Sequence, residues 1–148
     1  MDDTQELLAD LYIVCQPIML CSDINVIDGY EVLLRSKKQP GFPEKTFLWL
    51  IEEEQRNSEL LAYYSKELKK IIAATSNIKL ALNLHPKQLQ HQSTWLFLDT
   101  IVSMKENISI ELTEHYCTFD PAEGADMLQT YISKLKTKDF SLAIDDIG

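Results

Sequence analysis

Apolar runs of strand length, separated by helix-patterned segments, constrain this chain more than any other feature. Residues 11–20 form the first run, and turn residues 25–29 lead into a second at 30–35, which predicts a hairpin-like opening. Pro40, Gly41 and Pro43 break the loop 37–43. Residues 44–75 then carry helical periodicity in two stripes. Phe47, Leu48 and Ile51 make one; Leu60, Leu61, Tyr64, Leu68, Ile71 and Ile72 make the other, with the polar stretch 52–59 between them. A buried strand at 78–84 stops at His85-Pro86, and a helix over about 93–104 follows. Residues 108–112 read as the next strand. Asp120-Pro121-Ala122-Glu123 starts a helix, with Asp120 as N-cap, Pro121 at the first helical position and Glu123 completing a capping box. That helix runs to about Lys136, where Lys134, Lys136 and Lys138 suit the negative end of its dipole, and 140–144 is a last strand. This order predicts an α/β fold with a mostly parallel sheet, in one unit spanning residues 1–148.

Composition narrows the function classes. With 45% hydrophobic and 25% charged residues, the chain has enough apolar material for a single ordinary core. No apolar run reaches the roughly 18 residues of a membrane span, and Met1-Asp2-Asp3-Thr4 lacks the positive start of a secretory signal, so a cytoplasmic location is expected. Cys15, Cys21 and Cys117 have no metal-ligand spacing and read as reduced thiols. Fourteen Lys and Arg against 23 Asp and Glu give a net charge of −9, which disfavours DNA, RNA and anionic membranes as partners. A polyanionic ligand would need metal ions or a few well-placed arginines.

The polar residues at the strand ends carry the chemistry. Period two puts Glu31, Leu33 and Arg35 on one face of the second strand, Ala81 and Asn83 on one face of the third, and Glu111 with Thr113 on one face of the fourth. Asp145 follows Ala143 in the fifth, and Asp146 turns into the loop. Glu31, Asn83, Glu111, Asp145 and Asp146 all offer oxygen, which suits Mg2+ or Mn2+ better than zinc. One or two such ions would let the carboxylates stay charged together and would activate a water toward a phosphodiester, with Arg35 clamping phosphate. Taken singly, each residue has an ordinary structural use: Glu31 as an ion-paired strand residue, Asn83 as a turn former, Glu111 and Glu114 as a solvated strand end, and Asp145-Asp146 as a turn. Taken together at successive strand ends, they point to a barrel mouth.

In their order and approximate spacing, Cys15-Gln-Pro-Ile18, Gly29-Tyr-Glu-Val-Leu-Leu-Arg35, Leu82-Asn-Leu84, Glu111-Leu-Thr-Glu114 and Asp145-Asp-Ile-Gly148 resemble the EAL domain family. The resemblance implies a TIM-like (β/α) barrel of the EAL type that hydrolyses cyclic di-GMP to linear pGpG with Mg2+ or Mn2+. On that basis Glu31, Asn83, Glu111, Asp145 and Asp146 correspond to metal ligands, and Glu31 and Asp146 also to catalytic positions. Arg35 corresponds to the phosphate-contacting arginine, with Gln16 and Leu33 beside the substrate. Thr113 and Glu114 correspond to the pair that positions the following loop and couples it to dimer contacts.

Several positions depart from the family pattern. Val32 stands for the alanine of the signature, Ile147 for a phenylalanine after the paired aspartates, and Ser36 for an aromatic residue, which weakens stacking on the substrate. About five strands cannot close an eight-stranded barrel, which typically takes about 250 residues. The chain therefore reads as the N-terminal part of the domain, ending after Asp145-Asp146-Ile147-Gly148, lacking the family's later lysine, glutamate and glutamine and inactive by itself. Two other readings stand beside this one: a non-catalytic EAL-like protein acting as a ligand sensor or protein-binding regulator, alone or as a homodimer, and a nonfunctional remnant. His85 and His115 read as solvated loop residues; Trp49 and Trp95 read as packing residues.

Overall fold

A computed structural model describes residues 3–113 and 121–145. Its sheet has five strands in sequence order: β1 (Leu11–Met19), β2 (Ile27–Ser36), β3 (Leu80–Leu84), β4 (Ile108–Thr113) and β5 (Ser141–Asp145). β1 pairs antiparallel with β2, and every later pairing is parallel. This is the mostly parallel α/β sheet that the strand and helix alternation predicts. The opening hairpin turns through residues 20–26, where Asp23 accepts from the Asn25 amide at 2.9 Å and the Leu20 amide donates to the Val26 carbonyl at 3.0 Å.

Helices α1 (Asp3–Asp10), α2 (Glu44–Ile51), α3 (Glu54–Ala74), α4 (Gln92–Ile101) and α5 (Pro121–Lys136) complete the described fold. The sheet row Val32, Leu34, Leu80, Leu82, Leu84, Ile108, Ile110 and Leu112 meets Leu50 and Ile51 of α2, Leu60, Leu61 and Leu68 of α3, and Leu98 and Ile101 of α4 in one buried cluster. Burial of such side chains contributes about 1.5–3 kcal/mol each, so this layer holds the sheet in place.

Three differences from the sequence expectations have local causes. Residues 3–10, for which the pattern predicts no element, form α1, whose Thr4 is buried and whose Gln5 side chain donates to Glu59 at 3.3 Å. The polar stretch 52–59 is not a separator along its whole length, because α3 already begins at Glu54. The polar side chains find partners inside the helix pair: Arg56 donates to the Trp49 carbonyl and to Glu53, both at 2.9 Å, and its guanidinium lies 3.9 Å from the Trp49 ring centre. The helix expected over 93–104 is framed by two 3₁₀ turns, Pro86–Gln90 and Val102–Met104, so α4 proper is shorter. α5 starts at Pro121 as expected, while Asp120, the N-cap, lies outside the described residues, as does the Glu123 side chain of the capping box.

Trp95 is a packing residue: it is buried, and its indole N–H donates to the Leu89 carbonyl at 3.0 Å. Trp49, under the Arg56 guanidinium, is a packing residue as well.

Candidate functional site

Strand register decides which polar residues meet. Gln16 pairs with Glu31 across the β1/β2 hairpin, Glu31 with Ala81, Asn83 with Glu111, Glu111 with Ala143, and position 113 with position 145. Directly paired residues in neighbouring strands share a face, about 4.8 Å apart. One row therefore carries Gln16, Glu31, Leu33, Arg35, Asn83 and Glu111, with positions 113 and 145 at its end, on the face turned away from the helices. Asn83 and Glu111 are immediate neighbours at the carboxyl end of the parallel strands. Glu31 lies one strand over and one two-residue step below Asn83. The side chains of Thr113 and Asp145, and residues Glu114, His115, Cys117 and Asp146 altogether, lie outside the described residues.

The same alternation fixes burial. Val32, Leu34 and Ser36 face the helices and are buried, whereas Glu31, Leu33 and Arg35 are half-buried. Ser36 is thus not a substrate-facing position that has lost an aromatic ring. Period two turns it into the core, where its hydroxyl donates to the Asp10 carboxylate and accepts from the Lys38 amide at 3.1 Å. Lys37 adds bonds from its amide to Asp10 and from Nζ to Ala9, each 3.0 Å, so the end of α1 is tied to the exit of β2.

Beside this row a cavity of about 350 Å3 opens where β2 and β3 part. Pairing between them runs only from Tyr30/Leu80 to Val32/Leu82, while β2 continues to Ser36 and β3 to Leu84. Leu33, Arg35, Asn83 and His85 line the gap, with Phe42 and Phe47 across it. The Arg35 guanidinium is held toward the strand end by donation from Nη1 to the Leu34 carbonyl at 2.8 Å. The two phenylalanine rings stand 5.3 Å apart, and the Phe47 and His85 rings 6.3 Å. The cavity therefore combines mostly apolar walls with the Arg35 guanidinium, the Asn83 amide and the Glu44 carboxylate.

His85 differs from its sequence reading as a solvated loop residue. It is 7% exposed, and its Nδ1 accepts from the Lys87 amide at 3.1 Å. Burial, assisted by the nearby Lys87 charge, pushes its pKa down to about 4, so the imidazole is neutral at pH 7. A neutral ring costs far less to bury than a cation, which is why it can stand against Phe47.

The donor types on this row are all oxygen: the Glu31 and Glu111 carboxylates and the Asn83 amide. That set fits a hard divalent ion such as Mg2+ or Mn2+, not a thiolate- or imidazole-bound zinc. Among the described residues no three His, Cys, Asp or Glu side chains come together. The three donors in view are two glutamates and an asparagine; the two aspartates expected to complete them are the ones whose side chains fall outside the described set.

The sequence reading missed the polar residues beneath the mouth. Asn57, Gln88, Ser93 and Thr94 are buried and bonded to one another. In the sequence Asn57 is one of several polar residues in 52–59, and only its burial sets it apart. Among the described residues, no helix is long and apolar enough to cross a membrane.

A family model for the EAL domain matches residues 3–148. Comparison with curated protein sequences gives no significant match. Among solved structures, Klebsiella pneumoniae BlrP1, in a calcium and cyclic di-GMP complex, is 24% identical with a TM-score of 0.66; the match covers 94% of this chain and 35% of that one. The PaMucR phosphodiesterase in complex with c-di-GMP is 22% identical with a TM-score of 0.61, over 99% of this chain and 62% of that one. The FimX EAL domain is 20% identical with a TM-score of 0.61, over 98% and 61%. The chain thus spans about a third to three-fifths of the structures it matches. At these identities the likeness is one of fold, that of part of a TIM-like barrel. With a family model covering nearly every residue and a sheet that follows the same barrel, the chain belongs to the EAL domain family.

Proposed function

We propose that this chain forms the metal-binding part of a cytoplasmic phosphodiesterase that hydrolyses cyclic di-GMP to linear pGpG. The observation that carries the reading is the Asn83–Glu111 pair on the mouth face, in one row with Glu31 and beside the Arg35 end of the cavity. Bound Mg2+ or Mn2+ would supply charge neutralisation at the phosphodiester and a more acidic water.

The chain's own residues do the rest. Glu31, Asn83 and Glu111, with Asp145 and Asp146, would hold one or two ions, and Glu31 and Asp146 are the proposed catalytic positions. Arg35 offers a fixed fork of donors to a phosphate, a geometry lysine does not provide. Leu33 and Gln16 belong to the same row, and the apolar walls of the cavity, with Phe42 and Phe47 among them, suit a nucleobase. Thr113 and Glu114 are assigned, on the family resemblance alone, to positioning the segment that follows β4. Hydrolysis adds water across one phosphodiester bond, leaving a 5′-phosphate and a free 3′-hydroxyl.

Calorimetric titration of the chain with Mn2+ tests the reading at its base, and turnover of cyclic di-GMP by the complete domain tests its outcome. Saturable Mn2+ binding lost in Glu31→Ala, together with abolished turnover in Glu31→Ala or Asp145→Ala, is expected. Undiminished turnover in those variants sinks the assignment.

One observation favours a second reading, a non-catalytic EAL-like regulator. Among the described residues β1 is an edge strand, and Tyr12 and Val14 on its mouth face are 41% and 38% exposed. Such an edge is open to another chain. A stable stoichiometric complex without Mn2+ binding would select this alternative.

A further inference from the structure

We propose that Gln88 and Asn57 are positioning residues that set the side chain of Asn83 at the mouth of the sheet. The proposal rests on the reading of Asn83 as a metal donor, but its core is geometric.

β3 is supported unevenly. On the β4 side its ladder runs through Asn83/Glu111 to Leu84/Leu112, whereas on the β2 side it stops at Val32/Leu82 and the cavity begins. Past Leu82, then, β3 lacks a strand partner on that flank just where Asn83 must be held still. A hydrogen-bonded side-chain chain takes over. The His85 amide donates to Gln88 Oε1 at 3.0 Å, and Gln88 Nε2 donates to Asn57 Oδ1 at 3.2 Å. Asn57 Nδ2 in turn donates to Ser93 Oγ at 2.7 Å and Thr94 Oγ1 at 2.9 Å. The chain runs from the residue just beyond β3 to α3 and the start of α4.

Its burial argues for a specific purpose. Asn57 and Thr94 are 0% exposed and Gln88 1%. A buried amide is tolerated only when its bonds are made, and an apolar side chain of equal shape would fill the same space. A buried polar network, once satisfied, allows one arrangement of the elements it joins, which slippery apolar packing does not. Gln88 serves twice, because the 3₁₀ turn that it closes over the His85 amide is also the turn that ends β3. The two-residue reach from His85 back to Asn83 carries this fixation to the mouth.

The test is nitrogen-15 NMR on the whole chain. Gln88→Met keeps the shape and removes both side-chain bonds; Asn57→Ser is the second variant should the first not fold. In either, exchange of the His85 amide is expected to accelerate about fivefold or more relative to the Ile110 amide of β4, the effect of losing one buried hydrogen bond locally. The side-chain NH2 resonances of Asn83 are expected to shift or broaden, and the Mn2+ affinity to fall by a similar factor. The proposal is overturned if the His85 amide exchanges as before, if His85 and Ile110 accelerate equally, or if the Asn83 resonances stay put. Unchanged Mn2+ affinity beside a shifted Asn83 overturns the link from position to metal. A parent chain that binds no Mn2+ refutes the functional reading instead, while the Asn83 resonances still decide whether these two residues position it.

Discussion

The two faces of the sheet obey different rules, although they alternate along the same strands. Facing the helices, Val32, Leu34, Leu82, Ile110 and Leu112 are at most 4% exposed and pack in one cluster. Facing the mouth, Glu31, Leu33, Asn83 and Glu111 are half-buried, and Ala143 on β5 is exposed. The first face holds the fold together; the second is left for chemistry. A residue's position modulo two thus decides whether its loss is felt as stability or as function, and Ser36 shows the rule by falling on the core side next to a mouth-facing arginine.

The largest effects are expected from a pair of substitutions on β3. Leu82→Ala should lower stability by about 2–5 kcal/mol, since a fully buried leucine leaves a cavity, and urea denaturation reads it directly. Asn83→Ala, one residue along and on the other face, should change the unfolding free energy by no more than about 0.5 kcal/mol while weakening Mn2+ binding. Equal losses from both would mean that the mouth face is structural.

Next in size is the lower end of β2. A Cβ on Gly29 would stand 3.1 Å from the Lys79 carbonyl oxygen, which also accepts the Tyr30 amide at 2.8 Å. Gly29→Ala should therefore cost about 1–3 kcal/mol by forcing β2 away from β3, with Mn2+ binding reduced only in proportion to unfolding.

Acid titration sharpens the contrast at the strand ends. His85 takes up a proton near pH 4 in the folded chain and near 6.5 when unfolded, so between those values the unfolded state binds more protons. Stability should accordingly fall as pH drops from 6.5 toward 4, by no more than about 1.4 kcal/mol per pH unit from this residue. His85→Asn should flatten that part of the profile; an unchanged slope would show that the ring is not kept neutral by burial.

The smallest effect belongs to the rim. Lys105 and Asp139 pair at 2.6 Å on the surface, which pulls the Asp139 pKa down and the Lys105 pKa up. Solvent screens such a pair, so Lys105→Ala should leave the melting temperature unchanged in 0.5 M salt, about three times physiological ionic strength.

Much of this was legible in the sequence because the signals are local. Period two separated Glu31, Leu33 and Arg35 from Val32 and Leu34, and the strand-ending His85-Pro86 and helix-opening Pro121 marked their boundaries. The family followed from motif order. The limits were equally physical. Ser36 looked like a substrate-facing position and His85 like a solvated one, because neither residue type reveals how much of it the rest of the fold covers. Residues 54–59 looked like a separator because Arg56 and Asn57 are polar, and only Trp49, Ser93 and Thr94, contributed from elsewhere in the chain, make helix the better state there.

By itself the sequence determined the strand and helix order, the faces of each strand and the chemical types available at the mouth, since these depend on spacing and side-chain chemistry. Tertiary structure decided the rest: which donors stand side by side, where β2 and β3 part to leave a cavity, and which polar residues are buried to hold the strand end. Those depend on register and packing between segments 28 or more residues apart, and no local pattern encodes the distance between them.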